Sequence, residues 1–535
     1  MLRINEISVD LGASPEQIRA SAARELGVSA SHILSFEIWR ESIDSRKKNR
    51  IRMIYSVNAE TDLDEAAVAA RFLPNKVCVC EKYKYELPEN RRRSTLRPIV
   101  VGFGPAGMFA SLLLARAGLR PIVLERGHDV DRRTQDVHMF WHTAKLDPSS
   151  NVQFGEGGAG TFSDGKLTTG IKDSRCRYVL ETFVEFGAPE QILWSSHPHI
   201  GTDKLRPLVK NMRQEIIRLG GEVRFGCCLT DIYEANGYIQ GISYRDETGG
   251  SFDLETDTLL LCIGHSARDT VEMLFRRGLK MEKKAFSVGV RIEHKQEMIN
   301  KALFGPQWNN PLLGAANYKF ANHPPHGRGG YTFCMCPGGT VVGAASEREM
   351  VVVNGMSEFA RDGENANSAI LVGIEPDHIP DAHPLAGIAL QRQIERSAFE
   401  AGERSYRAPA QTVGDFLNNK PSARFGSVCP SCTSGVVPSD IRRVLPPVIT
   451  ENIASALLAF DKKLEGFAMP EAVLTAPESR SSSPVRIVRD ECRQASVKGI
   501  FPCGEGAGYA GGIVSAAVDG IRSAEAVLTD EVDDW

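Results

Sequence analysis

The sequence predicts an α/β fold in which a discontinuous domain with a parallel sheet is accompanied by two α+β units. Three observations predict it. Strand and helix patterns alternate in residues 1–90, an apolar strand at 98–101 leads into a glycine-rich turn and a helix, and residues 481–535 return to a strand, glycine loop and helix. Single cores stop growing near ~250–300 residues, so 535 residues indicate several domains. The expected segments are 1–90, 95–284, 285–480 and 481–535.

The composition and charge of the chain indicate which class of protein to expect. With 42% hydrophobic and 24% charged residues and a formal net charge of -4, the chain is an ordinary globular one. This charge balance does not favour nucleic-acid binding, which requires a basic protein face. No run approaches the ~18 apolar residues of a membrane span, and the first residues lack a signal-peptide core. We therefore expect a cytoplasmic protein without membrane association, whose 12 cysteines are reduced.

Residues 1–90 are expected to form a small separate domain. Alternating apolar residues at 4–11 indicate a strand, and Ser14 and Pro15 open a helix that ends before Gly27. Two strands, a helix over 64–72 and an extended segment over 76–85 follow. The order strand–helix–strand–strand–helix–strand predicts a ferredoxin-like α+β unit. The polar stretch 87–93 is expected to be a linker.

The glycine-rich turn has the spacing and context of a dinucleotide site. Gly102, Gly104 and Gly107 follow a strand and open a helix, and the next strand ends in Glu125. Gly102 permits the tight turn, Gly104 lets the backbone approach a pyrophosphate, and Gly107 lets helix and strand pack. Glu125 is placed to accept from ribose hydroxyls. This predicts a Rossmann-type domain. The residues expected to contact the nucleotide here are Gly102, Gly104, Pro105, Ala106, Gly107, Glu125 and Arg126.

That turn suits FAD or NAD, and the C-terminal segment favours FAD. Gly504 and Glu505 follow a strand and precede Gly511, Gly512 and Ile513 at the start of a small-residue helix. The segment resembles the second flavin motif of glutathione-reductase-like flavoproteins. The resemblance implies that Glu505 stands where an Asp usually holds the ribityl chain, and that the helix N-terminus faces the flavin N1/O2 edge.

A third flavin contact is indicated by the strand over 257–263. It ends in Gly264 and is similar to the strand ending in Ala-Thr-Gly in the same flavoproteins. The glycine turn there passes the cofactor. Nearby, five glycines crowd residues 155–165, too many for a packed helix. Gly157 and Gly158 are expected to approach the flavin or its phosphates, the alternative being a purely structural loop.

Longer stretches identify a family. Four stretches resemble signatures of a bacterial family of uncharacterised FAD-dependent dehydrogenases: residues 151–167, 333–339, 365–369 and 481–487. The resemblance covers essentially the whole chain. It implies a single Rossmann FAD domain, an inserted α+β substrate domain and cytoplasmic location. No second G-x-G-x-x-G stands in a βαβ unit, so a nicotinamide donor, NAD(P)H, would dock only transiently.

Four side chains are candidates for catalysis: Lys166, His265, Arg268 and Arg486. They lie in loops expected to converge on the flavin, since ligands of open α/β sheets lie beyond the carboxyl ends of the strands. His265 or Arg268 could polarise a carbonyl or supply a proton. The three cationic side chains favour an acidic or carbonyl-bearing substrate. The alternatives are a helix start for the His265 turn and a surface salt bridge for Arg486.

Two cysteine pairs are candidate redox or metal sites. Cys334 and Cys336 are two apart in a predicted strand, where neighbours rarely form a disulfide, and small hydrophobic residues are the favoured interpretation. Cys429 and Cys432 form a C-x-x-C without a second pair to complete a zinc site. The 12 histidines show no metal-binding spacing. No metal is expected.

The function that these features predict is an FAD-dependent oxidoreductase with hydride transfer at flavin N5 to or from a small molecule. One alternative is a flavin-binding accessory or redox-sensing protein that docks a partner through its N-terminal domain. Another is a non-redox enzyme that uses FAD structurally. The sequence specifies neither the substrate nor the oligomeric state.

Overall fold

The computed structural model describes residues 1–324 and 327–529 of the chain. Three large sheets organise it, with four, five and seven strands, alongside a three-stranded sheet and two strand pairs. Within the described ranges, no helix has both the length and the apolar character needed to cross a membrane.

The N-terminal unit is one antiparallel sheet covered by two helices. Its elements are β1 (Leu2–Asp10), α1 (Pro15–Leu26), β2 (Ile33–Asp44), β3 (Arg52–Thr61), α2 (Glu65–Ala69) and β4 (Val77–Val79). The strand order is β2-β3-β1-β4. The Ser14 side chain accepts from the Gln17 N–H, and Gly27 ends α1 in the left-handed conformation, so the predicted helix boundaries are confirmed. The predicted helix over 64–72 and extended segment over 76–85 are both too long.

The segment predicted as a linker is docked rather than free. The Tyr85 ring stacks on Tyr178 with centroids 4.0 Å apart, and its hydroxyl donates to Glu525 at 2.8 Å. The Arg92 guanidinium is buried, donates to the Leu96 carbonyl at 2.8 Å and pairs with Asp257. The connection between the N-terminal unit and the rest of the chain is therefore packed against helices and loops of the five-stranded sheet.

A five-stranded parallel sheet forms the core of the unit that was predicted to bind a nucleotide. Its elements in chain order, with those inserted between its strands, are β5 (Ile99–Val101), α3 (Pro105–Arg116), β6 (Ile122–Leu124), α4 (Val130–Thr143), α5 (Arg175–Glu185), α6 (Thr202–Arg218), β7 (Glu222–Arg224), β8 (Cys228–Ala235), β9 (Tyr238–Arg245), β10 (Ser251–Glu255), β11 (Leu259–Leu261), α7 (Arg268–Arg276) and β12 (Met281–Lys283). Every residue of β5, β6 and β11 is buried, as expected where both faces are covered. Helices cover one face, and the antiparallel β8, β9 and β10 lie on the other.

The third sheet is mainly antiparallel and has seven strands. This part of the chain comprises β13 (Phe286–Lys295), α8 (Gln296–Phe304), β14 (Ala321–Asn322), β15 (Gly330–Cys336), β16 (Thr340–Gly343), β17 (Val353–Met356), β18 (Asn365–Ile374), α9 (Ala386–Ala401), β19 (Ala408–Thr412), α10 (Val413–Leu417), β20 (Val436–Pro438), α11 (Pro447–Asp461) and β21 (Val473–Glu478). The order is β14-β15-β18-β13-β21-β19-β20. Strand β15 contains the strand predicted at Cys334 and Cys336.

The chain then returns to the parallel sheet through β22 (Val485–Ile487), β23 (Ile500–Pro502) and α12 (Ile513–Thr529). Strand β23 pairs in parallel with β11, which in turn pairs with β5. The sheet order β23-β11-β5-β6-β7 therefore joins strands about 400 residues apart in the sequence, from Ile99 to Ile500. Because β5, β11 and β23 are parallel neighbours, the loops after them meet at one edge.

Candidate functional site

One cavity of about 840 Å³ lies at this edge of the parallel sheet. One wall is built by the loops after β5, β11 and β23 and by the glycine-rich loop at 158–160. The other wall comes from the seven-stranded sheet, through side chains of β13, β15 and β21. The cavity therefore lies between the two largest sheets, where small-molecule sites commonly form.

In the turn after β5, two glycines are closely packed and one is open to the cavity. A Cβ on Gly107 would lie 1.9 Å from the Gly102 carbonyl oxygen, and one on Gly102 would lie 2.3 Å from the Cys262 carbonyl oxygen. Gly104 differs, because its nearest neighbour would be the Gly158 Cα at 3.6 Å, an ordinary contact. Gly104 is the N-cap of α3, with Pro105 at the first helical position. The open side of Gly104 faces the cavity, where helix N–H groups favour a phosphate.

Glu125 ties three backbone segments together below this turn. Its Oε2 accepts from the Phe103 N–H at 2.8 Å, and its Oε1 accepts from the N–H groups of Gly127 and Gly155, each at 2.9 Å. The carboxylate lines the cavity and is 5% exposed. A carboxylate offers about four acceptor positions, so one remains for a ligand hydroxyl.

A buried arginine holds the glycine-rich loop in place. Arg133 on α4 is fully buried and donates to the carbonyls of Asn151, Val152 and Glu156 at 2.9, 3.0 and 2.6 Å. These bonds fix the loop so that a Cβ on Gly158 would lie 2.9 Å from the Gly104 Cα. The loop and the turn after β5 thus form one continuous glycine-lined surface.

An aspartate on α12 anchors the C-terminal motif. Asp519 accepts from the Gly504 N–H at 2.8 Å and pairs with Arg489 at 2.8 Å. Burial opposes its ionisation, but the hydrogen bonds and charges of Arg489 and Arg493 lower the pKa of Asp519 to about 2. The carboxylate fixes the end of β23 against α12, whose first residue, Ile513, lines the cavity.

Three titratable groups meet where β11 and β23 end. Nε2 of His265 lies 3.6 Å from Oε1 of Glu505. Burial, with the Lys284 charge opposing it, raises the pKa of Glu505 to about 7. Burial lowers the pKa of Lys284, and burial together with the charge of Arg480 lowers the pKa of His265 to about 3. His265 is therefore a neutral imidazole, and Glu505 can gain or release a proton near neutral pH.

Charged side chains from the seven-stranded sheet face this group across the cavity. Arg291 on β13 pairs with Glu478 on β21 at 3.1 Å and donates to the Cys334 carbonyl at 2.5 Å. Lys166 donates to the Met335 carbonyl. Burial, opposed by Arg291, raises the pKa of Glu478 to about 7. The far wall is cationic and contains one carboxyl that is neutral at low pH.

Comparison with known proteins identifies the family. A family described as "FAD-dependent protein, C-terminal domain-like" matches residues 285–481, and a domain of unknown function matches residues 1–60. An uncharacterized protein of Clostridium beijerinckii is 45% identical over 530 residues, covering 98% of each chain. The chain belongs to this family of FAD-dependent proteins. Its cofactor is FAD.

Solved structures with detectable likeness are distant. A geranylgeranyl bacteriochlorophyll reductase-like protein of Thermoplasma acidophilum is 11% identical, with 81% of this chain and 77% of that chain covered and a TM-score of 0.36. A quinol fumarate reductase of E. coli is 9% identical, covering 81% and 70%, with a TM-score of 0.34. A flavoprotein/dehydrogenase of Cytophaga hutchinsonii is 14% identical, covering 58% and 62%, with a TM-score of 0.26.

The cavity of this FAD-dependent protein fits the cofactor. Gly104 and the first turn of α3 suit the pyrophosphate, and the free acceptor position of Glu125 suits a ribose hydroxyl. Glycine-lined backbone at both the turn and the loop leaves room that side chains would fill. The cavity then continues past Glu505 to Ile513 at the start of α12, where helix N–H groups suit an electron-rich ring edge.

Most residues predicted to contact FAD line this cavity. They are Gly102, Gly104, Pro105, Ala106, Glu125, Arg126, Gly158, Gly264, Glu505, Gly511, Gly512 and Ile513. Gly107, Gly157 and Gly504 lie behind the wall and serve packing. A Cβ on Gly157 would lie 2.1 Å from the Thr161 Oγ1, and one on Gly504 would lie 2.8 Å from the Ala106 Cβ.

Of the four predicted catalytic side chains, Lys166 and His265 line the cavity. Arg268 requires a correction, because its guanidinium is 1% exposed and pairs with Glu395 at 2.8 Å and with Glu347. Its buried ion pairs link α7 to α9, a structural role. Arg486 also requires a correction, because it pairs with Glu282 at 3.2 Å and lies beside the Tyr509 ring. Its partner Glu282 is 54% exposed, as in the alternative of a surface salt bridge.

Several site residues were not predicted from the sequence. Arg133 and Asp519 hold the glycine-rich loop and the loop after β23, Lys284 acts on Glu505, and Arg291 and Glu478 lie on the far wall. A signal existed for two of them. Arg133 lies on the buried stripe of α4, and Asp519 is the one charged residue within 513–521. The other three come together only because the parallel sheet and the seven-stranded sheet face each other.

Proposed function

We propose that this protein is an FAD-dependent oxidoreductase acting on a small acidic or carbonyl-bearing molecule. The observation that carries the proposal is one continuous cavity with two distinct parts. Its glycine-lined part suits a dinucleotide, and its far wall presents Lys166 and Arg291 opposite the ionisable carboxyl of Glu505. A cofactor pocket alone would not need a second wall of cations and acids.

FAD bound in this cavity supplies hydride acceptance or delivery at flavin N5. The chain's own residues bind, orient and handle protons. A carboxyl whose pKa lies near 7 is well matched to general acid–base work, and Glu505 has this property. We assign Glu505 Oε1 as the atom that exchanges the proton, with neutral His265 positioning it from 3.6 Å.

The cationic wall supports an anionic or polarised substrate. Lys166 and Lys319 line the cavity together with Arg361, whose guanidinium is held by Asp164 at 2.9 Å. A substrate carboxylate would find the Lys166 ammonium beside the Met335 carbonyl. Excluding water from such a wall strengthens each charge interaction. NAD(P)H, if it is the donor, would dock transiently from the open side.

The proposal includes the division of the chain. Residues 1–90 would be a ferredoxin-like unit, supported by the β2-β3-β1-β4 order. Residues 95–284 and 481–535 would form the glutathione-reductase-like FAD domain, supported by β23 beside β11. Residues 285–480 would be the inserted substrate domain, and the protein would act in the cytoplasm. Residues 530–535 of the last segment lie outside the described residues.

The test is an anaerobic redox screen of the holoprotein. The flavin is reduced with NADPH, NADH or dithionite and mixed with 2-oxo acids, enals and unsaturated carboxylates, while the corresponding reduced compounds are offered to oxidised flavin. We expect one class to change the flavin redox state far faster than buffer does, and the Lys166→Met variant to lose this response while keeping FAD. Equal rates across the whole panel and buffer, or an unchanged response in Lys166→Met, would contradict the proposal.

A further inference from the structure

The CxC pair on β15 occupies an irregular piece of strand at the cavity. The ladder between β15 and β18 pairs Phe333 with Ala369 and then slips, so that Cys336 pairs with Asn367. Cys334 sits at the slip with φ 44°, in the left-handed region that non-glycine residues seldom adopt. Such outliers persist where the surroundings enforce them, often at functional sites. The regular alternation of side chains that argued against a redox pair is therefore broken here.

The irregular backbone brings the Cys336 thiol against the Cys334 backbone at the cavity. Cys334 lines the cavity, and Cys336 is fully buried behind it. The Cys336 thiol donates to the Cys334 carbonyl oxygen at 3.2 Å. Redox-active thiols commonly combine an accessible cysteine with a partner held next to it.

Cations surround the accessible thiol. Arg291 donates to the carbonyl of Cys334 at 2.5 Å, and Lys166 donates to the carbonyl of Met335. The hydrogen bond from Cys336, followed by the charges of Lys166 and Arg291, lowers the pKa of the Cys334 thiol. The thiolate is the reactive form of cysteine, and cationic neighbours favour it.

A second thiol pair provides a contrast. Cys262 and Cys503 follow β11 and β23, which pair side by side. The neighbouring Cys503 thiol, burial and the charge of Asp519 raise the pKa of Cys262. Cys262 and Cys503 line the same cavity as Cys334, but the thiolate-favouring cations lie beside Cys334.

We propose that Cys334 and Cys336 are a dithiol–disulfide pair that exchanges two electrons with the bound flavin. Cys334 shares the cavity with Glu505 and Ile513 of the flavin motif, which places the pair beside the cofactor. In the oxidising direction the Cys334 thiolate and the Cys336 thiol form one S–S bond. They release two electrons and the Cys336 proton, all of which the oxidised flavin takes up. In the other direction, reduced flavin returns the two electrons and the proton and the S–S bond breaks.

The inference rests on FAD occupying this cavity but not on the identity of the substrate. The test is an anaerobic dithionite titration of air-oxidised holoprotein, with the disulfide located by peptide mass mapping before and after. We expect four electrons per flavin in the wild type, because flavin and disulfide are each two-electron couples. We expect two electrons in Cys336→Ser, and four in the control variants Cys432→Ser and Cys503→Ser.

Further outcomes separate this pair from other thiols. In Cys336→Ser the unpartnered Cys334 thiolate should give a long-wavelength charge-transfer band with oxidised flavin, and Cys334→Ser should lack it. Uptake of only two electrons by the wild type, with no 334–336 disulfide, would overturn the proposal, as would a disulfide mapped to Cys262–Cys503. A functioning substrate reaction with two-electron uptake would leave the proposed function intact and refute the redox pair alone.

Discussion

Nε2 of His265 lies 3.6 Å from Oε1 of Glu505, at the edge where β11 and β23 end side by side. The two residues are 240 positions apart in the sequence and meet only because the C-terminal strand joins the parallel sheet. The imidazole is neutral and the carboxyl ionises near pH 7, so the pair carries a single exchangeable proton beside the flavin motif.

Glu505→Gln is expected to remove an ionisation that the flavin senses. Above pH 7 the carboxylate places a negative charge beside the cofactor, and below pH 7 the neutral acid does not. The absorbance of oxidised holoprotein should therefore shift with an apparent pKa of about 7 in the wild type. This shift should be absent in Glu505→Gln and present in Glu282→Gln, a control at the exposed pair with Arg486. A persisting shift in Glu505→Gln would assign the ionisation elsewhere.

Gly104→Val is expected to abolish FAD binding without unfolding the protein. The Cβ position is open in the fold, so the side chain would occupy the space of the pyrophosphate. Affinity should fall at least about 100-fold, a loss of roughly 3 kcal/mol. Flavin fluorescence during reconstitution measures it. Gly373→Ala in β18, where a Cβ would meet no atom within 4 Å, should bind FAD normally. Normal binding by Gly104→Val would show that the pyrophosphate lies elsewhere.

Arg268→Ala is expected to destabilise the fold and spare the flavin spectrum. The substitution leaves Glu395, itself fully buried, without one of its two arginine partners. Removing one member of a buried pair costs about 3–5 kcal/mol. Arg486→Ala at the exposed pair should cost at most about 1 kcal/mol. Urea unfolding compares the two. If the two substitutions lower the free energy of unfolding equally little, Arg268 is again a candidate catalytic residue.

Glu478→Gln is expected to change how stability depends on pH. The pKa of Glu478 is raised from 4.5 to about 7, so the folded protein keeps a proton that the unfolded chain releases between these values. The stabilisation that the protonated Glu478 carboxyl gives the folded wild type is therefore complete below pH 4.5 and lost by pH 7. Relative to wild type, Glu478→Gln should gain up to about 1.4 kcal/mol per pH unit across this window. Glu364→Gln, at an exposed pair with Lys295, should run parallel to wild type. A constant difference between Glu478→Gln and wild type would contradict the assignment.

The cofactor half of the site was predictable from sequence because its requirements are local. The Gly102–Gly107 turn, Glu125 and the Gly504–Ile513 segment each depend on a few neighbouring residues whose backbone must approach a ligand. Helix α1 was predictable for the same reason, since Ser14 caps its start and Gly27 its end.

The far wall of the cavity was not predictable, because it depends on how two sheets face each other. Arg268 follows a strand and Lys166 follows a glycine-rich loop, and both are cationic. Arg268 is nevertheless buried against Glu395, whereas Lys166 lines the cavity. Neither burial nor pairing partners follow from spacing. Cys334 illustrates the same limit, because a register slip against β18 overrides the side-chain alternation of a strand.

We propose that one cavity holds FAD along its glycine-lined wall and leaves the cationic wall for a substrate. A crystal structure of the protein reconstituted with FAD would locate both parts. We expect the pyrophosphate at Gly104, the adenosine ribose at Glu125, and the isoalloxazine ring between Glu505 and Cys334 with Lys166 facing it. An isoalloxazine ring outside this cavity, or an adenine at the Glu505 end, would contradict it.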